Sequence, residues 1–193
     1  MMEQHIEIEF KNLLTHEEFK QLKNYFKLNE ADFATQDNHY FDTPDFDLKK
    51  QQAALRIRQK NGKYELTLKQ PADDGLLETN LPLEPSLAED ILSGNRLPDN
   101  EITNLLPSIN IDPFQLILFG SLKTSRAEFS YKGGLLVLDH SSYLNQEDFE
   151  VEYEVTQKDE GQEIFINLLD SLQIPRRQTE NKIKRFYRAK FGC

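Results

Sequence analysis

The stretch HIEIEFK at residues 5–11 alternates apolar and charged side chains from one residue to the next. Alternation over this length predicts a β-strand with one buried face. Because successive side chains of a strand point to opposite faces, the isoleucines and the phenylalanine share one face, and Glu7, Glu9 and Lys11 share the other. The strand therefore carries two like charges next to each other on a single face.

The same separation of apolar and charged residues recurs at 54–59, 64–69, 125–129 and 149–155. Charges two residues apart lie about 7 Å apart on one face, and like charges there repel unless something compensates them. Mg²⁺ or Mn²⁺ compensates carboxylates, and phosphate compensates arginine and lysine. A plainer alternative is a solvated face with cross-strand ion pairs. The charged residues of these segments are Arg56, Arg58, Glu65, Lys69, Arg126, Glu128, Glu150, Glu152 and Glu154.

Nine segments have the alternation typical of strands, and three have the apolar stripe and capping residues typical of helices. The strands are predicted at 4–11, 36–42, 53–60, 63–70, 76–82, 114–122, 124–132, 134–140 and 149–156. The helices are predicted at 16–27 with Thr15 and Glu18 as a capping box, at 87–93 with Ser86 and Glu89, and at about 160–172. Two-residue hairpin turns are predicted at Asn61-Gly62 and at Gly133-Gly134.

The irregular stretch 94–113 contains three prolines, but it is too short and too apolar to be an interdomain linker. We therefore expect one α+β domain over residues 1–193. If the strands close into a barrel with their apolar faces turned outward against the helices, the charged faces meet in a polar interior. An open sheet covered by helices on one side would leave the same charges facing water.

The composition excludes several function classes. The formal net charge of −10 argues against nonspecific binding to DNA or to an anionic membrane, and no apolar run is long enough to span a membrane. The N-terminus lacks the layout of a signal peptide, so a cytoplasmic location is expected. The lone Cys193 precludes an intrachain disulfide, the four histidines form no HxxxH pair, and no glycine-rich phosphate loop is present.

Several blocks of sequence together resemble the CYTH, or triphosphate tunnel metalloenzyme, superfamily. They are the ExExK pattern at 7–11, YFDTPDFDL at 40–48, ALRIRQ at 54–59, YELTLK at 64–69, TSRAEF at 124–129, LLVLD at 135–139, FEVEYEV at 149–155 and NKIKRF at 181–186. The resemblance spans nearly the whole chain. It implies an antiparallel eight-stranded tunnel, with helices packed outside, that acts on triphosphates with a divalent metal, Mg²⁺ or Mn²⁺.

The resemblance also assigns site residues. The metal ligands it implies are Glu7, Glu9, Glu152, Glu154 and Asp139. The residues it implies for the triphosphate are Lys11, Arg56, Arg58, Lys69, Arg126, Lys182 and Glu78. Among all of these, the catalytic roles fall to Asp139, which positions a metal or the attacking water, and to Lys11 and Arg58, which neutralise charge on the phosphates.

Two positions depart from the family pattern: Asn80 stands where many relatives carry a carboxylate, and Thr124 where many carry a basic residue, while parity turns Lys123 outward. Glu150 shares the face of the metal ligands and is expected at the rim. Tyr40 and Asp42 either approach the substrate or build a strand end and turn. Lys184 is interpreted as a solvated charge.

The leading hypothesis is metal-dependent hydrolysis of a small triphosphate, with inorganic triphosphate first. The same residues are compatible with a class IV adenylate cyclase, which would convert ATP to cyclic AMP and pyrophosphate, and with a thiamine triphosphatase. A non-catalytic module that binds polyphosphate or a nucleotide is a third class of function. A homodimer through an exposed sheet face is left open.

Overall fold

The computed structural model describes residues 1–192, and Cys193 lies outside the described residues. Eight β-strands are present in this part of the chain: β1 (Glu3–Leu14), β2 (Ala34–Asp42), β3 (Ala54–Lys60), β4 (Lys63–Ala72), β5 (Gly75–Leu83), β6 (Ile117–Tyr131), β7 (Gly134–Tyr143) and β8 (Gln146–Val155). The α-helices are α1 (His16–Tyr25), α2 (Asp47–Lys50), α3 (Pro85–Leu92), α4 (Lys158–Ser171) and α5 (Lys182–Phe191). Short 3-10 helices cover Glu30–Asp32, Thr103–Ile109 and Pro113–Gln115.

The strands form one closed barrel in the order β1-β5-β4-β3-β2-β6-β7-β8. Antiparallel pairing joins β2 to β3, β3 to β4, β4 to β5, β6 to β7 and β7 to β8, and β8 also pairs antiparallel with β1, with Lys11 opposite Glu152. This arrangement confirms the predicted eight-stranded antiparallel barrel and excludes the open sheet. Closure leaves no strand without a neighbour on each side.

Two details of the strand prediction are wrong. The segments predicted at 114–122 and 124–132 form the single strand β6, because the alternation of buried and exposed residues runs unbroken through Lys123 and Thr124. The second hairpin turn is Lys132-Gly133, both with positive φ, so Tyr131 pairs with Gly134. Gly134 is the first residue of β7, and a side chain there would clash, because a Cβ would come within 2.6 Å of the Glu154 carbonyl oxygen.

The first hairpin turn is confirmed, since Asn61 and Gly62 have φ of 53° and 73°, as a type I′ turn requires. The Thr15 capping box of α1 is also confirmed. The predicted Ser86 cap is wrong, because α3 begins at Pro85, whose fixed φ and missing N–H suit the first helical position.

The chain forms two compact units. The first unit comprises residues 1–6 with 36–122, and the second comprises residues 7–35 with the chain from Lys123 onward. The single-domain assignment of residues 1–193 stays a prediction.

In the first unit, the apolar face of β3 and β4 packs against α2, α3 and the stretch 94–113. That stretch, irregular in sequence, supplies two fully buried residues: Ile102, which caps its 3-10 helix, and Leu106, which lies within it. The buried apolar residues of this core are Phe41, Leu48, Ala53, Leu55, Ile57, Tyr64, Leu66, Leu68, Leu81, Ala88, Ile91, Ile102, Leu106 and Ile111.

In the second unit, the apolar faces of β7 and β8 pack against α1 and α4. Leu22 of α1 and Leu169 of α4 are fully or almost fully buried in this core. Gly161 of α4 lies where a Cβ would come within 2.6 Å of Val155, so the helix crosses β8 closely. Each unit thus covers the apolar face of its strands with helices and leaves the charged face on the opposite side.

None of the helices within residues 1–192 combines the length and the apolar character that crossing a membrane requires.

Candidate active site

The charged face of the first unit is built on β3, β4 and β5. Lys69 lies directly opposite Glu78, and its Nζ is 2.7 Å from Glu78 Oε2. Arg56 and Arg58 share this face and lie opposite Thr67 and Glu65. Cations therefore outnumber carboxylates on these three strands. The cations are Arg56, Arg58, Lys60, Lys63 and Lys69, and the carboxylates are Glu65 and Glu78.

Asn80 is the first departure from the family pattern. It has no carboxylate, and its amide instead forms a hydrogen bond with Glu78. Its Nδ2 donates to Glu78 Oε1 at 3.0 Å, and its Oδ1 accepts from Thr67 Oγ1 at 2.7 Å. Glu78 is thereby held between an amide and the Lys69 ammonium, with only 7% of its surface exposed. Glu78 therefore lies against Lys69, and its role in binding the triphosphate stays a prediction.

This environment lowers the pKa of Glu78 to about 2. Burial alone would raise that pKa, but the charges of Lys69 and Arg56 and the hydrogen bonds from Lys69 and Asn80 outweigh it. A carboxylate whose folded pKa lies below its unfolded value stabilises the fold above the unfolded pKa and loses that contribution as pH falls. The stabilisation from Glu78 is therefore lost as the pH falls from about 4.5 to about 2.

We expect Glu78→Gln to lower the free energy of unfolding at pH 7 by up to about 3 kcal/mol. At pH 3 the difference in the free energy of unfolding between variant and wild type should be less than half as large. At that pH much of the stabilisation that the ionised Glu78 gives the wild-type fold is already lost. Urea unfolding at the two pH values measures this. Glu101→Gln, at an exposed glutamate of the same unit, is the control. A difference that is equal at both pH values would contradict the assignment.

Sequence reasoning missed two buried amides beside Arg58. Gln36 and Asn38 of β2 are each 2% exposed, and Asn38 lies directly opposite Arg58. Within residues 1–192, no hydrogen-bond partner is found for Gln36 Oε1, Asn38 Oδ1 or Arg58 Nε. The period of two could have found both amides, because they share the face of Tyr40 on their strand.

Asp42 has a structural position. It is fully buried, and its carboxylate accepts hydrogen bonds from the backbone N–H groups of Thr43, Leu48 and Lys49. These bonds tie the end of β2 to the short helix α2. The strand-end interpretation of Asp42 is therefore the one that its contacts support, and Tyr40, which precedes it on the same face, is buried at 5% exposure.

In the second unit, Glu7, Glu9 and Glu154 bring carboxylate oxygens within 4.8 Å of one another. Glu9 lies directly opposite Glu154 across β1 and β8. Burial, together with the charges of Glu7 and Glu9, raises the pKa of Glu154 to about 7. A divalent cation would relieve this repulsion, and three carboxylates are a suitable donor set for a hard metal ion. The donor set therefore fits the metal that the sequence predicts.

Next to this acidic triplet, Lys11 forms an ion pair with Glu9. Burial lowers the pKa of Lys11, but the surrounding charges of Glu9, Glu152 and Glu150 outweigh it and raise the pKa above its ordinary value. The Lys11 ammonium therefore stays charged, two residues along β1 from Glu9.

A second group of charges is buried around Arg126. Its Nε donates to Asp139 Oδ1 at 2.7 Å and its Nη2 to Asp139 Oδ2 at 2.6 Å, which makes a bidentate pair. The same Nη2 is 2.8 Å from Glu152 Oε2. Burial works against the charged guanidinium, but Asp139 and Glu152 raise the pKa of Arg126 well above its ordinary value.

Lys182 approaches the same carboxylates from the first turn of α5. Its Nζ lies 2.8 Å from Asp139 Oδ2 and 2.8 Å from Glu150 Oε2, and it is also paired with Glu152. A cation at a helix N-terminus opposes the helix dipole, so these acids are what hold it there. They outweigh burial and raise the pKa of Lys182, while Lys182, Arg126 and Lys11 lower that of Glu152.

The five predicted metal ligands fall into two groups with different neighbours. Glu7, Glu9 and Glu154 form the triplet, whereas Asp139 and Glu152 are engaged by Arg126 and Lys182. A metal role for these last two stays a prediction. The expected rim position of Glu150 is wrong: it is fully buried, since Lys182 and Arg185 compensate its charge.

Arg185 is a second functional candidate that sequence reasoning missed. It lies one helical turn after Lys182, so the i, i+3 spacing on α5 could have found it. It is 9% exposed and pairs with Asp148 and Glu150. Lys184, between them, is part-buried, and its backbone N–H donates to Asn181 Oδ1.

Thr124, the second departure from the family pattern, is fully buried and forms a 3.0 Å hydrogen bond with Ser141. The neighbouring Lys123 is exposed, as its parity predicts. Carboxylates outnumber cations on the charged face of the second unit. The carboxylates are Glu7, Glu9, Glu128, Asp139, Asp148, Glu150, Glu152 and Glu154, and the cations are Lys11, Arg126, Lys182 and Arg185.

A family model described as the CYTH domain matches residues 5–187. The chain belongs to the CYTH family. A Bacillus subtilis (strain 168) protein named "Putative triphosphatase YjbK" is 52% identical over 189 residues, which cover 98% of each chain. Among solved structures, one described as "a putative adenylate cyclase" from Bacillus halodurans is 46% identical with a TM-score of 0.92, and the match covers 95% of this chain and 98% of that one.

A more distant structure shows the same fold. A structure described as "Putative adenylyl cyclase HpAC1 from Hippeastrum", which "reveals a dominant" triphosphatase activity, is 22% identical with a TM-score of 0.75. The match covers 94% of this chain and 95% of that one. The fold of this chain is therefore shared with a protein of much lower sequence identity.

Proposed function

We propose that the protein is a metal-dependent triphosphatase, with inorganic triphosphate as its first substrate. One observation carries the proposal. On paired strands β1 and β8, Glu9 lies opposite Glu154 and, two residues further, Lys11 lies opposite Glu152. Metal-binding carboxylates and phosphate-binding cations thus adjoin on one face, about 7 Å apart along each strand. A metal triphosphate presents the complementary charges, a cation for the carboxylates and phosphate oxygens for the lysine.

Glu7, Glu9 and Glu154 are proposed to hold the ion, Mg²⁺ or Mn²⁺. When bound, such an ion neutralises charge on phosphate oxygens and orients them. Beyond the triplet, Asp139 and Glu152 are proposed as further ligands in the same unit. Carboxylates outnumber the lysine and arginine side chains on this face, so these side chains do not balance its negative charge. This excess supports the binding of more than one metal ion.

In each unit, the cations on the charged face are proposed to bind phosphate. Arg126 is held in a fixed orientation by its bidentate pair with Asp139, so its Nη1 edge is preorganised before substrate arrives. Arg126 makes a further contact of 3.6 Å from Nη1 to Glu128. The remaining proposed phosphate ligands are Lys11, Lys182, Arg56, Arg58 and Lys69, with Glu78 orienting Lys69.

Hydrolysis then needs positioning and charge neutralisation rather than a covalent intermediate. We propose that Asp139 orients the attacking water once the substrate draws Lys182 towards its own oxygens. Lys11 and Arg58 are proposed to stabilise the charge that accumulates on the leaving phosphate. No serine, cysteine or histidine nucleophile is required for this chemistry.

A class IV adenylate cyclase is the second candidate, favoured by the description of the 46%-identical Bacillus halodurans structure. The same metal and phosphate ligands would then bend ATP so that its 3′-hydroxyl attacks the α-phosphorus and pyrophosphate leaves. Thiamine triphosphate and non-catalytic binding are further alternatives. A cytoplasmic location, a homodimer, and the absence of DNA and membrane partners stay predictions.

A product panel separates these candidates. We expect purified protein with Mg²⁺ or Mn²⁺ to release orthophosphate from inorganic triphosphate at a rate at least about tenfold above that from ATP, GTP or thiamine triphosphate, because the proposed ligands all address phosphate. Orthophosphate assay and chromatography for cyclic AMP measure the two outcomes. Cyclic AMP and pyrophosphate from ATP would favour the cyclase, and tight triphosphate binding without turnover would favour a binding module.

A further inference from the structure

The guanidinium of Arg185 donates four hydrogen bonds, and none of them goes to the acidic triplet. Its Nε and Nη2 donate to the two carboxylate oxygens of Asp148 at 2.9 and 3.2 Å, and Nη1 donates to the Glu180 carbonyl. Asp148 in turn accepts from the Tyr143 hydroxyl at 2.8 Å. Asp148 and the Glu180 carbonyl therefore anchor Arg185 through three bonds, and one further bond remains.

That remaining bond goes to Glu150. Arg185 Nη2 lies 2.7 Å from Glu150 Oε2, and Lys182 Nζ lies 2.8 Å from the same oxygen. Glu150 is fully buried, and its other oxygen, Oε1, has no hydrogen-bond partner within residues 1–192. One carboxylate oxygen is thus shared between an anchored arginine and the lysine proposed to bind phosphate.

We infer that Arg185 is a positioning residue that weakens the hold of Glu150 on Lys182 and so sets the affinity of the protein for the triphosphate anion. This inference rests on the proposed function, in which Lys182 binds phosphate. Arg185 itself does not touch the substrate. It acts through Glu150, whose charge it shares.

The physical reason is competition. Without substrate, the Lys182 ammonium is held by Asp139, Glu150 and Glu152, and phosphate oxygens must replace some of these contacts. A buried carboxylate that has lost one of its two cations binds the remaining one more tightly, because nothing else in a low-dielectric interior compensates it. Removing Arg185 therefore makes Lys182 harder to recruit, and removing the charge of Glu150 makes it easier.

We expect Arg185→Met to raise KM, and the Kd for inorganic triphosphate, by about tenfold, while kcat stays within about twofold. Glu150→Gln should lower the Kd several-fold, and the double variant should return it close to the wild-type value. Calorimetry with inorganic triphosphate and Mg²⁺ gives Kd, and orthophosphate release gives kcat and KM. Arg188→Met is the matched control, because Arg188 is exposed on the same helix and pairs with Glu180.

A merely structural role would lower the unfolding temperature of Arg185→Met and leave the Kd of the folded protein for triphosphate unchanged. An unchanged Kd, a fall in kcat alone, or the absence of rescue would overturn the inference. If Arg185→Met does not fold, Glu150→Gln alone decides, since an isosteric amide that leaves the Kd unchanged contradicts competition for Lys182. Wild-type protein that binds triphosphate without hydrolysing it would overturn the proposed function but not this inference.

Discussion

Replacing Glu154 by glutamine is expected to weaken metal binding and to strengthen the metal-free fold at the same time. The variant keeps the shape of the side chain but removes one of three carboxylates whose oxygens lie within 4.8 Å of one another. Without metal, relief of repulsion should raise the free energy of unfolding by up to about 1 kcal/mol. With metal, loss of a ligand should raise the Kd for Mn²⁺ by about a hundredfold or more.

Phosphate release from inorganic triphosphate is expected to fall by at least the same factor at limiting metal. Calorimetry with Mn²⁺, urea unfolding in the presence of a chelator, and the orthophosphate assay measure the three quantities. Glu163→Gln, at an exposed glutamate of α4, is the matched control and should change none of them. Unchanged Mn²⁺ affinity in Glu154→Gln would place the ion elsewhere in the molecule.

The two faces of the strands were predictable from sequence because alternation is a local property of the chain. HIEIEFK and FEVEYEV each separate apolar from charged residues without reference to any partner. Barrel closure is different, since it depends on pairing between segments far apart in sequence, such as Glu9 with Glu154. Periodicity alone leaves the closed barrel and the open sheet equally acceptable, and only the family resemblance favoured closure.

For the site residues too, the sequence predicts the strand face of each residue but not its partner. Strand parity places Asp139, Glu152 and Glu154 on one face, but it does not say which cation each will meet. Asp139 and Glu152 meet Arg126 and Lys182, while Glu154 faces other carboxylates. That division depends on where α5 enters the unit, which no strand pattern contains.

Helix α5 itself was recognisable in principle. Asn181 caps its N-terminus through a hydrogen bond to the backbone of Lys184, and Gly192 ends it in the left-handed conformation. Asparagine before and glycine after an apolar-periodic stretch are the ordinary helix boundaries. Recognising them would have placed Lys182 and Arg185 on one helical face and exposed Arg185 as a candidate.

Arg126 offers the largest expected effect on both stability and activity. Arg126→Met removes the cation shared by Asp139 and Glu152 and leaves two buried carboxylates with fewer partners. Breaking a buried ion pair from one side costs about 3–5 kcal/mol, so we expect a loss of that size in urea unfolding. Orthophosphate release from inorganic triphosphate should fall to the level without enzyme, because a proposed phosphate ligand is removed.

Two companion variants separate the folding effect from the chemical one. Arg126→Met combined with Asp139→Asn should recover much of the stability, since the pair is then removed from both sides, but none of the activity. Arg126→Lys keeps the charge but cannot form the bidentate pair with Asp139, so it should fold and release phosphate about a hundredfold more slowly. A fully active Arg126→Lys would show that only the charge matters, and the proposed preorganisation of the guanidinium by Asp139 would then be wrong.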